Sequence, residues 1–440
     1  MDMQKIWKWS LIVSLGGLLF GFDTAVISGA EQAIQQQWDL SDALVGQMVA
    51  MALYGTVIGA LFAGKPADTI GRKNTLIWIA FLYLVSALGS ALAPEIYSLM
   101  AFRFIGGIGV GASSVVAPMY IAEIAPASSR GRMTAMFQFN LVLGILLAYV
   151  SNYFIGNVAD ESWRMMLGVE VIPALLFCGL IFTVPKSPRW LLVQKGDEAA
   201  ALAVLQRIHP ENARRELEDI KNSRHSKHAG LKEFFSGAYN RPILLAFLFA
   251  LFNQISGINA VIYYAPRIFE MAGLEESAAL LSSAGIGLIN LIFTILGLAM
   301  IDRYGRRFLM YIGSVGYIIS LSMVAIVFWN DANGGAGVSI WLFMFIASHA
   351  IGQGAVIWVF ISEVFPNQVR AYGQSLGCGT HWVMAAIIAG VFPYMAGAMG
   401  AGPIFALFAA CMVLQLLFVW KMMPETKGLS LESLEKQVGA

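Results

Sequence analysis

Charge is scarce in this chain. Only 12% of its 440 residues are Asp, Glu, Lys or Arg, and 58% are hydrophobic. A soluble globular domain carries about 25% charged residues, so the composition argues against a water-soluble globule and for a membrane protein. The net charge of +1 argues against electrostatic capture of nucleic acid. Cysteine is rare. Cys178, Cys378 and Cys411 lie in apolar runs with neither metal-site spacing nor a disulfide framework, and read as small buried apolar side chains. The five histidines are scattered, so no metal site is expected. No nucleophile–base constellation and no phosphate loop is present, which argues against an enzyme. One apparent dinucleotide fingerprint, Gly107-x-Gly109-x-x-Ala112, lies inside an apolar run. It lacks the preceding strand and the acid about 20 residues onward that such a motif needs. Close helix packing is the better reading, and no cofactor is expected.

What is present is a succession of long apolar runs. A helix needs roughly 20 residues to cross a bilayer. Twelve runs qualify: 8–30, 43–64, 75–94, 97–122, 133–155, 164–184, 241–270, 278–301, 308–329, 338–362, 371–397 and 402–423, called spans 1 to 12. The first is not read as a cleavable signal. It is long, contains Asp23 and is followed by no small-residue cleavage site. The fold class predicted is an all-α membrane protein.

Basic residues set the orientation. Lys5 and Lys8 precede span 1, Lys65, Arg72 and Lys73 follow span 2, and Arg130 and Arg132 follow span 4. Eleven Lys and Arg lie from Lys186 to Arg241. Arg303, Arg306 and Arg307 follow span 8, Arg370 follows span 10, and Lys421, Lys427 and Lys436 close the chain. Together these are 25 of the 28 basic residues, all on one side. The opposite loops hold Glu31, Asp39, Asp42, Glu95, Asp160, Glu161, Glu275, Glu276 and Asp331, with Arg164 and Arg267 at that boundary. By the positive-inside rule both termini are cytoplasmic.

The chain repeats itself. Tyr120-Ile-Ala-Glu-Ile-Ala-Pro-Ala-Ser-Ser-Arg130 aligns without gaps to Phe360-Ile-Ser-Glu-Val-Phe-Pro-Asn-Gln-Val-Arg370, and "GKPADTIGRK" (64–73) corresponds to "GLAMIDRYGRR" (297–307). The domain reading is a six-helix bundle at 1–184, a cytoplasmic linker at 185–240, a second bundle at 241–423 and a tail at 424–440. The linker's pattern (Ala199, Leu202, Leu205, Ile208, then Leu217 and Ile220) reads as short amphipathic helices. Two parallel halves with a substrate site between them near the midplane is a transporter architecture.

Ionisable groups inside spans need a reason. Asp23 lies among Phe20, Phe22, Val26 and Ile27, and Arg103 lies within span 4. A buried charge costs roughly 2.5–3.5 kcal/mol on insertion scales. The pair reads either as a fixed salt bridge or as a proton switch. Apolar surroundings favour a neutral carboxyl and a nearby guanidinium favours the charged one, so a changing separation would change proton affinity.

Neutral amides also interrupt the spans: Gln138, Asn253, Gln254, Asn259 and Asn290. They read as interhelical hydrogen bonds or as partners for the hydroxyls of a neutral ligand. A helix break at Ser256-Gly257 would let both Gln254 and Asn259 point inward. Trp358 and Trp382 lie mid-span, as packing or as a platform for the apolar face of a sugar ring. Gly354 would leave room beside Trp358. His349 and His381 read as structural or ligand-contacting. Tyr263 and Tyr264 are candidate gates on span 7. Asp68, Arg72, Glu123, Arg130, Asp302, Arg306, Glu363 and Arg370 occur at repeated span ends, which suggests an acid–base latch in each half in preference to isolated solvated charges; Glu425 is a candidate addition.

The motifs "GGLLFGFDTAVISG", "RFIGGIGVG", "PMYIAEIAPASSRG", "SPRWL", "NQISGINAVIYYAP", "DRYGRR", "ISEVFP" and "PETKG" together resemble the sugar porter family of the major facilitator superfamily, from Gly16 to about Glu432. The look is closest to bacterial proton-coupled xylose, arabinose and galactose symporters, and more distant from facilitative glucose transporters. The resemblance implies two pseudo-symmetric six-helix halves and monosaccharide import with a proton across the bacterial inner membrane. It implies a proton site at Asp23 with Arg103 and sugar-binding positions at Gln138, Gln254, Asn259 and Asn290, with Asn253 a shorter version of one; Phe20, Gly354, Trp358, Trp382, His349 and His381 are further candidates for the substrate site. The sugar and the lipid bilayer are then its partners, and a monomer suffices. Departures are Lys186 in "PKSPRWL", a missing arginine in Asp68-Thr69-Ile70-Gly71-Arg72, Asn253 in place of a glutamine, His349 in place of an aromatic residue, and His381 in place of Gln or Asn. An uncoupled facilitator, a polyol transporter of the myo-inositol type and a sugar sensor are the rival readings.

Overall fold

The computed structural model describes residues 3–126, 129–156, 158, 162–208, 210–222, 231–330, 334–366 and 368–427. Asp160, Glu161, Asp331, Lys436, linker residues 209 and 223–230 and tail residues 428–440 lie outside the described residues. Among the described residues there is no strand, and twelve helices are long and apolar enough to cross a membrane. Spans 1 to 6 are Met3–Trp38, Asp42–Phe62, Arg72–Ala91, Ile96–Ile124, Arg130–Ile155 and Ser162–Ile181. Spans 7 to 12 are Asn240–Met271, Glu276–Tyr304, Arg306–Asn330, Ala336–Glu363, Arg370–Met399 and Ala401–Lys421.

Span 1 runs eight residues past the predicted end, until Asp39 adopts φ 49°. No Gly or Pro interrupts it between Ala30 and Trp38, so Glu31 sits within the helix rather than in a loop. Three spans are interrupted. Span 6 breaks at Val169-Glu170 and resumes at Val171. Span 7 ends its first part at Ile255 and restarts at Ile258, with Gly257 at φ 83°, a conformation that glycine reaches at little cost. Span 10 contains a π turn at Ala350–Gly354, a local widening often found at functional sites.

The chain clusters into two compact units. One contains Met1–Thr24, Met51–Ala148 and Arg164–Lys227; the other contains Ala25–Ala50, Tyr149–Trp163 and His228–Ala440. The later part of span 1, the first part of span 2 and the last part of span 5 therefore belong with spans 7 to 12.

In the first unit, spans 2 and 4 meet through glycines on both helices. A Cβ on Gly107 would strike the carbonyl of Ala52, and one on Gly55 the carbonyl of Phe104. Small residues that let backbones approach are the membrane counterpart of a packed core, and here they account for the false nucleotide fingerprint. The linker helices Pro188–Val193, Glu198–Ile208 and Ala213–Asn222 bury Trp190, Leu191, Ala201, Leu205 and Leu217 together. Ala199, expected on this face, is exposed, and Ala201 takes its place. The cysteines are free and half-buried rather than fully buried.

Candidate functional site

The first unit holds an ion centre built by three spans. Asp23, Arg103 and Glu170 are 3%, 1% and 3% exposed. Asp23 Oδ1 lies 3.5 Å from Arg103 Nη1. Glu170 falls at the span 6 break, makes no helix-capping bond, and is within electrostatic reach of both Asp23 and Arg103. The sequence analysis passed over Glu170, although a carboxylate inside an apolar run is the same signal that identified Asp23. Arg103 Nε and Nη2 are buried with no hydrogen-bond partner among the described residues. Two buried carboxylates and one guanidinium thus lie within electrostatic reach of one another. With both acids ionised the centre carries a net negative charge out of water, which is costly; with one proton bound it is neutral.

The second unit gathers most of the predicted sugar-contacting residues. The span 7 break turns Asn253, Gln254 and Asn259 together. Asn259 Nδ2 donates to Gln254 Oε1 at 2.7 Å, and Gln254 Nε2 donates to Asn253 Oδ1 at 2.8 Å. Gln254 Nε2 also lies 3.2 Å from either ring nitrogen of His381. The His381 ring sits 4.9 Å from that of Trp358 and edge-on to Trp382 at 4.6 Å. Trp358 remains partly exposed while Trp382 is buried, so Trp358 keeps an accessible ring beside the amides. Gly354 faces the His349 ring, where an added Cβ would lie 3.3 Å from it. His349 Nδ1 is 2.5 Å from the Tyr317 hydroxyl.

Other predicted residues stand apart. Asn290 on span 8 is buried and accepts from Thr294 at 3.3 Å. Phe20 and Gln138 belong to the first unit, buried and partly buried respectively. Tyr263 and Tyr264 are buried, and the Tyr264 hydroxyl donates to the Ala389 carbonyl at 2.7 Å while its ring stacks on Phe392.

The basic span ends carry two matching clusters, one in each unit. In the first, Arg72 Nη1 reaches Asp68 at 2.8 Å and Nη2 reaches Glu123 at 3.0 Å. In the second, Arg306 reaches Asp302 at 3.3 Å and Glu363 at 2.7 Å. The correspondence extends further than the sequence analysis saw. The Ser187 hydroxyl donates to Glu123 at 2.5 Å, and the Thr426 hydroxyl donates to Glu363 at 2.6 Å. Glu425 accepts from the backbone N–H groups of Arg306 and Arg307, both at 3.0 Å, and so caps span 9. Arg370 donates to the Phe365 carbonyl, and Arg130 is exposed with no ion pair among the described residues.

A further cluster lies at the acidic end, inside the second unit. Arg267 donates to both oxygens of fully buried Glu31, at 2.8 and 2.5 Å, and to Gln35 at 2.5 Å. Its Nη1 is 3.6 Å from Asp42. The Tyr149 hydroxyl donates to the Ile262 carbonyl at 2.6 Å. From the sequence, Glu31 was expected in a loop and Arg267 at the span boundary. They form instead a two-pronged carboxylate–guanidinium pair, the stronger kind of ion-pair geometry.

A break in span 7 lined with amides, an indole beside them and a buried acid–base centre on spans 1, 4 and 6 describe a carrier of a neutral polar solute with an ionisable partner. Residues 9–437 match the sequence profile of the sugar (and other) transporter family. The D-xylose-proton symporter of Escherichia coli strain K12 is 36% identical over 474 residues, covering 99% of this chain and 96% of that protein. The arabinose-proton symporter of Bacillus subtilis strain 168 is 34% identical, covering 97% and 94%. The inward open conformation of the xylose transporter XylE from E. coli superposes with a TM-score of 0.87 at 34% identity, covering 98% of this chain and 99% of that one. The chain is an integral membrane transporter, not an enzyme, with the major facilitator fold, and it belongs to the sugar (and other) transporter family.

Proposed function

We propose that this protein is a proton-coupled symporter that brings a monosaccharide into the cell across the bacterial inner membrane, with both termini cytoplasmic. The observation that carries this reading is the buried Asp23–Arg103–Glu170 centre. Its charge balances only when one proton is bound. Arg103 Nε and Nη2, which bond nothing among the described residues, are available to a new partner. Binding a proton releases Arg103 from Asp23, and losing it draws the two together, so protonation biases which conformation spans 1 and 4 favour. A ligand shifts a conformational equilibrium by its differential affinity for the two states, and here the proton is such a ligand.

The amides Asn253, Gln254 and Asn259, with Asn290, bind the sugar hydroxyls, and Trp358 carries its apolar face. The parts of spans 1, 2 and 5 nearest the acidic loops are gathered with spans 7 to 12 in one compact unit and tied there by Arg267–Glu31. The Arg72 and Arg306 clusters act as an acid–base latch in each half, bracing its basic span ends.

Coupling gives accumulation. One charge moving through about 100 mV releases about 2.3 kcal/mol, enough for about 40-fold accumulation. The test is uptake of labelled xylose, arabinose, galactose and glucose into proteoliposomes, with and without an inward proton gradient. Accumulation of one sugar above equilibrium only with the gradient supports symport. Equilibration without accumulation would make the protein a facilitator, and movement of myo-inositol but no monosaccharide would make it a polyol carrier.

A further inference from the structure

The second unit contains a chain of five side-chain amides, and every link runs in the same sense. Asn259 donates to Gln254 and Gln254 to Asn253, as described above. Asn253 Nδ2 then donates to Gln353 Oε1 at 3.3 Å, Gln353 Nε2 to Gln415 Oε1 at 2.8 Å, and Gln415 Nε2 to the Ser314 hydroxyl at 2.8 Å. Asn253, Gln254, Gln353, Gln415 and Ser314 are each 2% exposed or less, and Asn259 is 9% exposed. The chain starts at the span 7 break and passes through the π turn of span 10 to spans 12 and 9. The Gly352–Gly313 approach, where a Cβ on Gly313 would lie 2.9 Å from the Gly352 Cα, holds spans 9 and 10 close enough for it to form.

We propose that Gln353 and Gln415 are positioning residues that fix the amide orientation of the sugar site, and through it which hydroxyls of the sugar are recognised. This rests on the sugar-transport reading above. An isolated amide at a binding site turns by half a revolution to offer either its oxygen or its nitrogen. In this chain one amide cannot turn alone. Doing so would set N–H against N–H on one side and oxygen against oxygen on the other, leaving buried polar atoms unpaired. The five turn together or not at all, and hydrogen bonds aligned head to tail polarise and strengthen one another.

In the polarity observed, Asn259 and Gln254 spend donors on their neighbours. Asn259 keeps its oxygen and one N–H free, and Gln254 Oε1 keeps a lone pair. The site therefore presents more acceptors than donors, and a sugar hydroxyl satisfies it as a donor. Fluorine, which cannot donate, does not. Severing the chain at Gln353 leaves a three-amide remnant whose two polarities each strand one group, so both become populated and the site adapts to fluorine.

The experiment uses the full-length protein in proteoliposomes. Competition against labelled uptake is measured for D-glucose, D-xylose and their monodeoxy-monofluoro analogues. The wild type is expected to favour the hydroxyl over fluorine at one or more ring positions by about tenfold, the worth of one hydrogen bond. In Gln353→Leu that ratio is expected to fall to about threefold or less, and KM for the parent sugar to rise. Gln353→Glu is expected to retain the wild-type ratio, because a neutral carboxyl accepts from Asn253 and donates to Gln415. If Gln353→Leu does not fold, Gln415→Met severs the next link and makes the same prediction. Equal loss for parent and fluorinated sugars in the severed variants would overturn the proposal, as would a wild type indifferent to fluorine at every position. A wild type in which no monosaccharide competes would overturn the sugar reading itself, and this inference with it.

Discussion

Asp23 and Arg103 touch through a single stretched contact of 3.5 Å, while Nε and Nη2 of Arg103 bond nothing among the described residues. A pair built only for stability would use the fork of the guanidinium, as Arg267 does on Glu31. The looser contact suits a guanidinium that exchanges partners, and it carries a specific prediction about charge.

Removing Arg103 leaves Asp23 and Glu170 buried without a counter-charge. Breaking a buried pair from one side costs about 3–5 kcal/mol. Arg103→Leu is expected to lower the thermal midpoint markedly and abolish transport. Adding Asp23→Asn to it should recover much of the lost stability but none of the coupling. A double-mutant cycle on thermal stability checks this; simple additivity of the two changes would contradict the charge balance proposed for the centre.

The Arg267–Glu31 pair is expected to hold the acidic end closed. Arg267→Gln leaves Glu31 buried and alone, again at a cost of about 3–5 kcal/mol, and the protein should escape it by opening. A single cysteine introduced at buried Ala272 should then label at least tenfold faster from outside. Labelling unchanged from wild type would remove this pair from the gate.

Lys186 and Glu425 occupy corresponding places in the two halves, each between a proline and a hydroxyl residue that bonds the motif glutamate. Glu425 caps span 9, whereas Lys186 lies within electrostatic reach of Lys73 at the start of span 3. A negative side chain at a helix N-terminus is worth about 0.3–1 kcal/mol. Lys186→Glu should therefore raise the thermal midpoint by a few degrees. A lowered midpoint would show that the two halves are not equivalent here.

Ser187→Ala and Thr426→Ala each remove one hydrogen bond to a motif glutamate, worth about 1.5–3 kcal/mol when the acceptor is charged. The Ser187 hydroxyl also caps the helix Pro188–Val193 by accepting from the Trp190 N–H at 3.1 Å, so its loss is expected to exceed that of Thr426 by about 1 kcal/mol. A variant that loses nothing in denaturant or thermal titration would show that its cluster does not bear on stability.

Much of the site was legible in the sequence because a bilayer makes polar residues conspicuous. Asp23, Arg103 and the span 7 amides stand out against apolar neighbours, and Ser256-Gly257 correctly marked the break. Glu170, Gln353 and Gln415 carried the same signal and were passed over. Each sits singly in its run, and only the fold gathers them. Glu31 was read as a loop residue and Arg267 as a boundary charge, because hydropathy does not show that span 1 continues as a helix to Trp38. Their pairing joins residues 236 apart. The head-to-tail sense of the amide chain lies beyond any sequence pattern, since it depends on which atom of each amide meets which.

The most direct test of the account is whether sugar entry carries protons through Asp23. Unlabelled sugar is added to de-energised proteoliposomes in weak buffer, and external pH is recorded for wild type and Asp23→Asn. The account predicts alkalinisation with the wild type, and with Asp23→Asn no pH change although labelled sugar still exchanges. Alkalinisation of equal size in the variant would contradict Asp23 as the proton site, and none with a wild type that transports sugar would contradict symport.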